Sequence, residues 1–280
     1  VRADEVLSIQ RFLGALFPFP MLLSFWPAHW GRLRRSNATL VAAVVLMVLA
    51  LSSLGQLLSL FPEPIGSNAG EFREGALTTL YLTLVSGSVG LVLGTAAALA
   101  RTARLAWLRQ TASFYIWAIR GTPLLVQILF VYFALPALVP WLNLPDFAAA
   151  VVALGLNVGA YNAEAVRAGL LAVPRGQTEA ARALGLSRTH VFFDVVLPQA
   201  FKIALPPLVS NFVALLKDSS LAYVIGVVEL TNVGNRIQSA TFQPVATLVT
   251  VAITYLILTT LVTQVTHAIE HRFDVEGRAG

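Results

Sequence analysis

The chain has 280 residues, 57% of them hydrophobic and only 12% charged, with a formal net charge of +5. A soluble domain carries about 25% charged residues, so the charge here cannot cover the surface of a soluble protein of this size. The absence of cysteine excludes a disulfide scaffold, Cys-ligated zinc, iron–sulfur clusters and thiol catalysis. The apolar content excludes disorder. What remains is an integral membrane protein, and the spans read below make the expected fold class all-α.

Residues 1–37 contain an apolar stretch, 7–27, interrupted by Pro18, Pro20 and Pro27. Prolines are tolerated in membrane helices, but the Trp and Phe of this stretch suit the headgroup level, so an interfacial segment is expected. Asp4 and Glu5 spoil a basic leader and no A-x-A site follows, so a cleaved signal peptide is not expected. A span needs about 20 apolar residues to cross about 30 Å of hydrocarbon. Segments 38–60, 75–100, 111–136, 147–170 and 245–268 satisfy this, and 205–228 does so while carrying Lys217 and Asp218. Residues 38–60 read as an additional N-terminal span, and 271–280 as a tail. Gly90-x3-Gly94 and Gly155-x3-Gly159 allow close helix crossing without selecting a particular dimer face.

Basic residues set the orientation. Of the 19 Lys and Arg, 14 fall in 1–37, 101–110, 171–204 and 269–280, and only two fall in 61–74, 137–147 and 229–244. The positive-inside rule then predicts six spans with both termini cytoplasmic. The surplus charge faces the inner leaflet, and nucleic acid need not be invoked.

Residues 171–204 are too polar for a span and too patterned for a linker. Thr178 is the expected N-cap of a helix over EAARAL, which Gly185 ends or bends. A second helix is expected from Arg188 to Pro198. Small Ala180 and Ala181 would let the first helix sink into a groove on another protein, with Glu179 and Arg182 along its rim. Glu179-Ala180-Ala181, three residues, Gly185, nine residues and Val195-Val196-Leu197-Pro198 together resemble the EAA loop of ABC-importer permeases, with Val195 in place of Ile.

The resemblance extends to 75–83 (GALTTLYLT), Arg120-Gly121-Thr122-Pro123 through Gln127, Tyr161-Asn162-Ala163-Glu164 through Gly169, and Leu216-Lys217-Asp218-Ser219-Ser220-Leu221. These strings are similar to the polar amino-acid branch of ABC importers, which serves histidine, glutamine, glutamate, arginine and opines. The resemblance covers 74–270 and implies a type I ABC importer permease fold of about six transmembrane helices with a cytoplasmic coupling-helix hairpin. It implies a bacterial inner-membrane location and coupling through Glu179, Ala180, Ala181, Arg182 and Gly185. The implied partners are an ATP-binding cassette ATPase dimer, a second identical or homologous permease and an external amino-acid-binding protein. No G-x4-G-K-[ST] loop is present, so ATP and Mg belong to the ATPase and no cofactor or metal is expected in this chain.

Ionisable groups at membrane depth need a partner or a water-filled cavity. Asn157, Tyr161, Glu164 and Ala168 recur at i, i+4, i+7 and i+11, one helical face that could line a pocket. Glu164 could instead neutralise Arg167. Lys217 and Asp218 point in different directions on a regular helix. Both are satisfied if the helix breaks there, or Asp218 pairs with another span, through Arg120 for example. Arg120 suits bidentate carboxylate binding or a gate-side ion pair. Pocket candidates are therefore Asn157, Tyr161, Asn162, Glu164, Arg120, Asn211 and Asp218. With no additional buried acid, a neutral or acidic substrate such as glutamine or glutamate is expected, ahead of a cationic amino acid, an opine or cystine.

Two rivals remain in view. His267-Ala268-Ile269-Glu270-His271 matches the zinc-peptidase pattern H-x-x-E-H, yet it ends the last span and lacks an obvious third ligand. A serine protease fits less well still, because no His lies in a bilayer core. An ion-gradient-driven secondary transporter could relay protons through Glu164 and Asp218. Such a protein would have no use for the cytoplasmic hairpin.

Overall fold

A computed structural model describes residues 32–273 of the chain. The segment 7–27 and most of the tail 271–280 lie outside the described residues. Helix α1 spans Arg32–Leu58 and α2 spans Ala69–Thr102. The next segment is two helices, α3 (Ala106–Arg120) and α4 (Leu124–Leu138). Helix α5 runs over Asp146–Ala172, α6 over Arg175–Ala183 and α7 over Arg188–Ile225. Helix α8 covers Leu230–Thr241, and α9 covers Pro244–Arg272. Among the described residues there is no strand. Among the described residues, five helices are long and apolar enough to cross a membrane, six if α3 and α4 count as one span.

Leu51–Thr259 form one compact unit, and the described residues on either side of it belong to a second. In the first unit, α5 is the central element. Its 27 residues reach about 40 Å, enough to cross a bilayer. The sequence makes it buryable, because Ala149, Ala150, Ala153, Gly155, Gly159, Ala160 and Ala163 leave little side chain between α5 and its neighbours. A Cβ on Gly90 would stand 2.2 Å from a Val158 methyl and 3.0 Å from the Gly155 carbonyl. One on Gly94 would stand 2.7 Å from the Gly159 carbonyl. Both glycine pairs thus face each other across α2 and α5, so they serve packing within one chain.

Three expectations are corrected. The segment 111–136 is not one helix, since α3 and α4 meet at 109°. Pro123 has no N–H and disfavours helical backbone at the residue before it, so the chain turns there. The second hairpin helix does not stop at Pro198. It continues through a wide π-type turn at Val191–Val196 into Leu197–Asp218, and Pro198 sits at the first turn of that α-helical run. Wide turns and membrane helices both tolerate the missing donor. The segment 229–244 contains a helix, α8, whose Leu230, Val233, Gly234 and Ile237 are buried at i, i+3, i+4 and i+7 and whose neighbour is α2.

Candidate functional site

The turn between α3 and α4 opens a cavity of about 350 Å³, lined by Thr122 and Pro123, by Asn157 and Tyr161 of α5, and by Asn211 and Asp218 of α7. Gln127 holds this turn. Its Nε2 donates to the carbonyls of Ile119 at 2.7 Å and Thr122 at 3.1 Å, which the broken helix leaves free. Its Oε1 accepts from Asn157 Nδ2 at 3.0 Å. Gln127 was part of a family string in the sequence but not a site candidate; its position one turn after a proline break was the available signal.

Four of the seven pocket candidates meet at the cavity. Asn162 stands behind it, buried, and accepts from Asn211 Nδ2 at 3.0 Å, which orients Asn211. Arg120 also lies outside the lining, with its guanidinium 5.1 Å from the Tyr161 ring centroid, in cation–π range. Asp218 is the last residue of the α-helical run, after which Ser219–Ile225 tighten into a 3-10 turn. The break expected near Lys217 therefore takes the form of a change of helix type. Among the described residues, no salt bridge joins Asp218 to Arg120 or to any other base.

Glu164 does not line the cavity. Its Oε1 bonds Arg101, and its Oε2 accepts from Arg167 Nη2 at 2.7 Å and Nε at 3.1 Å. Both oxygens are occupied, so pairing prevails over pocket-lining. Arg101, counted in the sequence only as loop charge, is a partner sequence reasoning did not identify. It ends the helix that the glycines press against α5.

The hairpin helix begins earlier than expected. Helix α6 starts at Arg175, and Thr178, inside it, donates its hydroxyl to the Arg175 carbonyl at 2.7 Å and is not the N-cap. Its end is a Schellman turn: Gly185 N donates to Arg182 O at 2.9 Å and Leu186 N to Ala181 O at 3.2 Å. That turn requires the φ of +82° that Gly185 adopts without strain. Glu179, Ala180, Arg182 and Gly185 are exposed, whereas Ala181 is buried on the side where α6 meets Val191–Val196. Ala181 thus packs within this chain, and the other four residues make up the exposed surface. Leu184, 83% exposed at the tip, is the large apolar group on this surface that sequence reasoning missed.

Glu229 is a further buried acid outside the candidate list. Fully buried, it accepts from Thr231 N and Asn232 N at 2.8 Å each and from the Tyr255 hydroxyl at 2.8 Å. Leu230 N donates to Thr79 Oγ1 at 3.2 Å, so this N-cap staples α2, α8 and α9. Burial pushes the Glu229 carboxyl above its usual range, against the hydrogen bonds that pull it down. In the H-x-x-E-H string, His267 Nδ1 lies 3.1 Å from Glu270.

Residues 90–275 match the family of binding-protein-dependent transport system inner membrane components. An L-cystine transport system permease protein of Bacillus subtilis is 40% identical over 71% of this chain and 85% of its own. A glutamine transport system permease protein of Escherichia coli is 40% identical over 72% of this chain and 92% of its own. The crystal structure of an amino acid ABC transporter with histidines superposes with a TM-score of 0.69 at 37% identity, covering 74% of this chain and 95% of that one. The broken span, the glycine-packed helix pair and the exposed hairpin are thus a type I ABC importer permease fold, and the chain belongs to the family of binding-protein-dependent inner membrane components, in its polar amino-acid branch.

Proposed function

We propose that this permease, with a second identical or homologous copy, forms the translocation path of an ATP-driven importer for a polar amino acid with a neutral or acidic side chain, such as glutamine or glutamate. The observation that carries the substrate class is the composition of the cavity. Asp218 is its only carboxylate, and the rest of its polar lining is Thr122, Asn157, Tyr161 and Asn211. Asp218 is suited to the α-ammonium group, and Arg120, outside the lining but 5.1 Å from the ring centroid of the lining residue Tyr161, is the guanidinium beside the cavity suited to the α-carboxylate. A cationic side chain would need a second carboxylate, and Glu164, one turn along α5 from Tyr161, is already shared by Arg101 and Arg167.

The exposed face of α6, with Glu179, Ala180, Arg182 and Leu184, is the contact for a separate ATPase dimer that binds ATP and Mg. Closure of that dimer pushes α6, and the cavity opens in turn to an external amino-acid-binding protein and to the cytoplasm. The basic-residue bias supports cytoplasmic termini in a bacterial inner membrane. The test reconstitutes the permease with its ATPase and binding protein and measures uptake and stimulated ATPase over a panel of amino acids. Preference for arginine or lysine overturns the substrate class. Deletion of Glu179–Gly185 abolishes ATP-driven uptake, and unimpaired transport would exclude the coupling role.

A further inference from the structure

At the end of the compact unit carrying Thr102 and Leu171 lies a second recess, of about 480 Å³, separate from the cavity of Asp218. Arg101, Arg109 and Arg167 line it together with Gln110, Ser113 and Leu171, and no carboxylate does. Glu164 behind it offsets one of the three guanidiniums, which leaves a surplus of two positive charges. Among the described residues, Arg109 has no ion-pair partner and is exposed. Three guanidiniums gathered with one carboxylate between them repel one another, so the surplus charge makes the recess a site for an anion.

The surroundings say which anion. Helix α3 carries Arg109, Gln110 and Ser113 beside an exposed aromatic strip of Trp107, Phe114 and Trp117. Helical spacing puts the two sets on adjoining sectors of one outward face. Leu171 adds a 66% exposed aliphatic group at the rim. A soluble anion would gain nothing from that strip, whereas a lipid would lay its acyl chains along it and place its phosphate among the arginines.

We propose that this recess binds the phosphate headgroup of an anionic phospholipid. Its assignment to the inner leaflet rests on the orientation proposed above. The guanidiniums and the Ser113 hydroxyl supply donors to the phosphate oxygens, and Glu164 keeps Arg101 and Arg167 aimed while leaving the net charge positive.

The test uses the purified permease–ATPase complex, delipidated and then supplied with phosphatidylglycerol, phosphatidylcholine or inorganic phosphate. Bound lipid is counted by native mass spectrometry and thermal stabilisation is measured alongside. Phosphatidylglycerol is retained and stabilises, and Arg109→Ala weakens its retention about tenfold, as expected for losing a charge-assisted contact. Arg104→Ala, which removes an equal charge from an exposed position outside the recess, leaves retention within about twofold. Ser113→Asp, which adds an anion to the recess, reproduces the Arg109→Ala loss. Equal loss in Arg104→Ala and Arg109→Ala, equal retention of phosphatidylcholine, or the same protection from inorganic phosphate alone would each overturn the lipid site. None of these readouts requires transport. The orientation is read separately: the chain has no cysteine, so Arg104→Cys should label only from the cytoplasmic side.

Discussion

Two successive stretches of α5 treat polar groups in opposite ways. Around Asn157 and Tyr161 the neighbours are a proline-broken turn and the end of an α-helical run, and both leave space. Around Glu164 and Arg167 the neighbour is the last turn of α2, whose Arg101 closes onto the carboxylate. A stripe at i, i+4, i+7 and i+11 is one face in angle only. Whether a residue on it meets a substrate is decided by what packs opposite, turn by turn. The glycine crossing that presses α2 against α5 runs beside both stretches.

That crossing is where the comparison breaks most severely. Gly94 would place a Cβ 2.6 Å from the Cβ of Asn162 and 2.7 Å from the Gly159 carbonyl, with backbone that cannot swing away. Gly94→Leu is expected to cost about 3 kcal/mol or more through overpacking. It should remove the monodisperse complex from size-exclusion profiles, losing the cavity and the arginine cluster together. Survival of one region without the other would show that α2 does not tie them.

Next in size is the contrast between the two acids. Asp218→Asn should raise the half-saturation concentration for uptake about 30-fold, the equivalent of about 2 kcal/mol for losing a charge–charge contact with the substrate. Glu164→Gln should leave that concentration within about twofold. Its effect falls on stability instead, because Arg101 and Arg167 lose their shared partner. About 2 kcal/mol is expected, moderated by the partial exposure of all three side chains. Melting curves of the complex separate the two variants. A stability loss in Asp218→Asn with unchanged uptake would reverse the roles.

Much of this was legible in the chain. Apolar length located the spans, and the EAA spacing located the exposed helix, because both depend on local pattern. Gly185 was readable as a turn because a left-handed residue after a helix is a local demand. What escaped was decided by contact across the sequence. Arg101 and Glu164 are 63 residues apart, and nothing in either segment announces the other. Ala181 is indistinguishable from Ala180 until the following turn covers it. Gln127 looks like one polar residue in an apolar run until its amide is found bonded to the carbonyls of Ile119 and Thr122 at the broken turn. Helix α8 was missed for another reason: its apolar period is present, but it is short and sits where only a loop was sought.

Glu229 extends the comparison to a third acid, one with neither a cavity nor an arginine. Its two oxygens accept two backbone N–H groups and a tyrosine hydroxyl, so Glu229→Gln turns an amide NH2 toward a donor and should cost about 1 kcal/mol. The pH dependence has a definite sign. Burial raises the folded-state value above the ordinary 4.5, so the folded protein holds this proton after the unfolded chain has released it. The stability contributed by Glu229 is therefore fully present below about pH 4.5 and declines as pH rises through the folded value. Other titrating groups cancel in the difference between wild type and Glu229→Gln, since the amide does not titrate. The wild-type advantage in melting temperature should thus be largest at and below about pH 4.5 and shrink toward neutrality. An advantage that grows with pH would mean that the three donors outweigh burial. Glu229 would then resemble Glu164, a carboxylate stabilised in its charged form, except that its partners would be dipoles in place of guanidiniums.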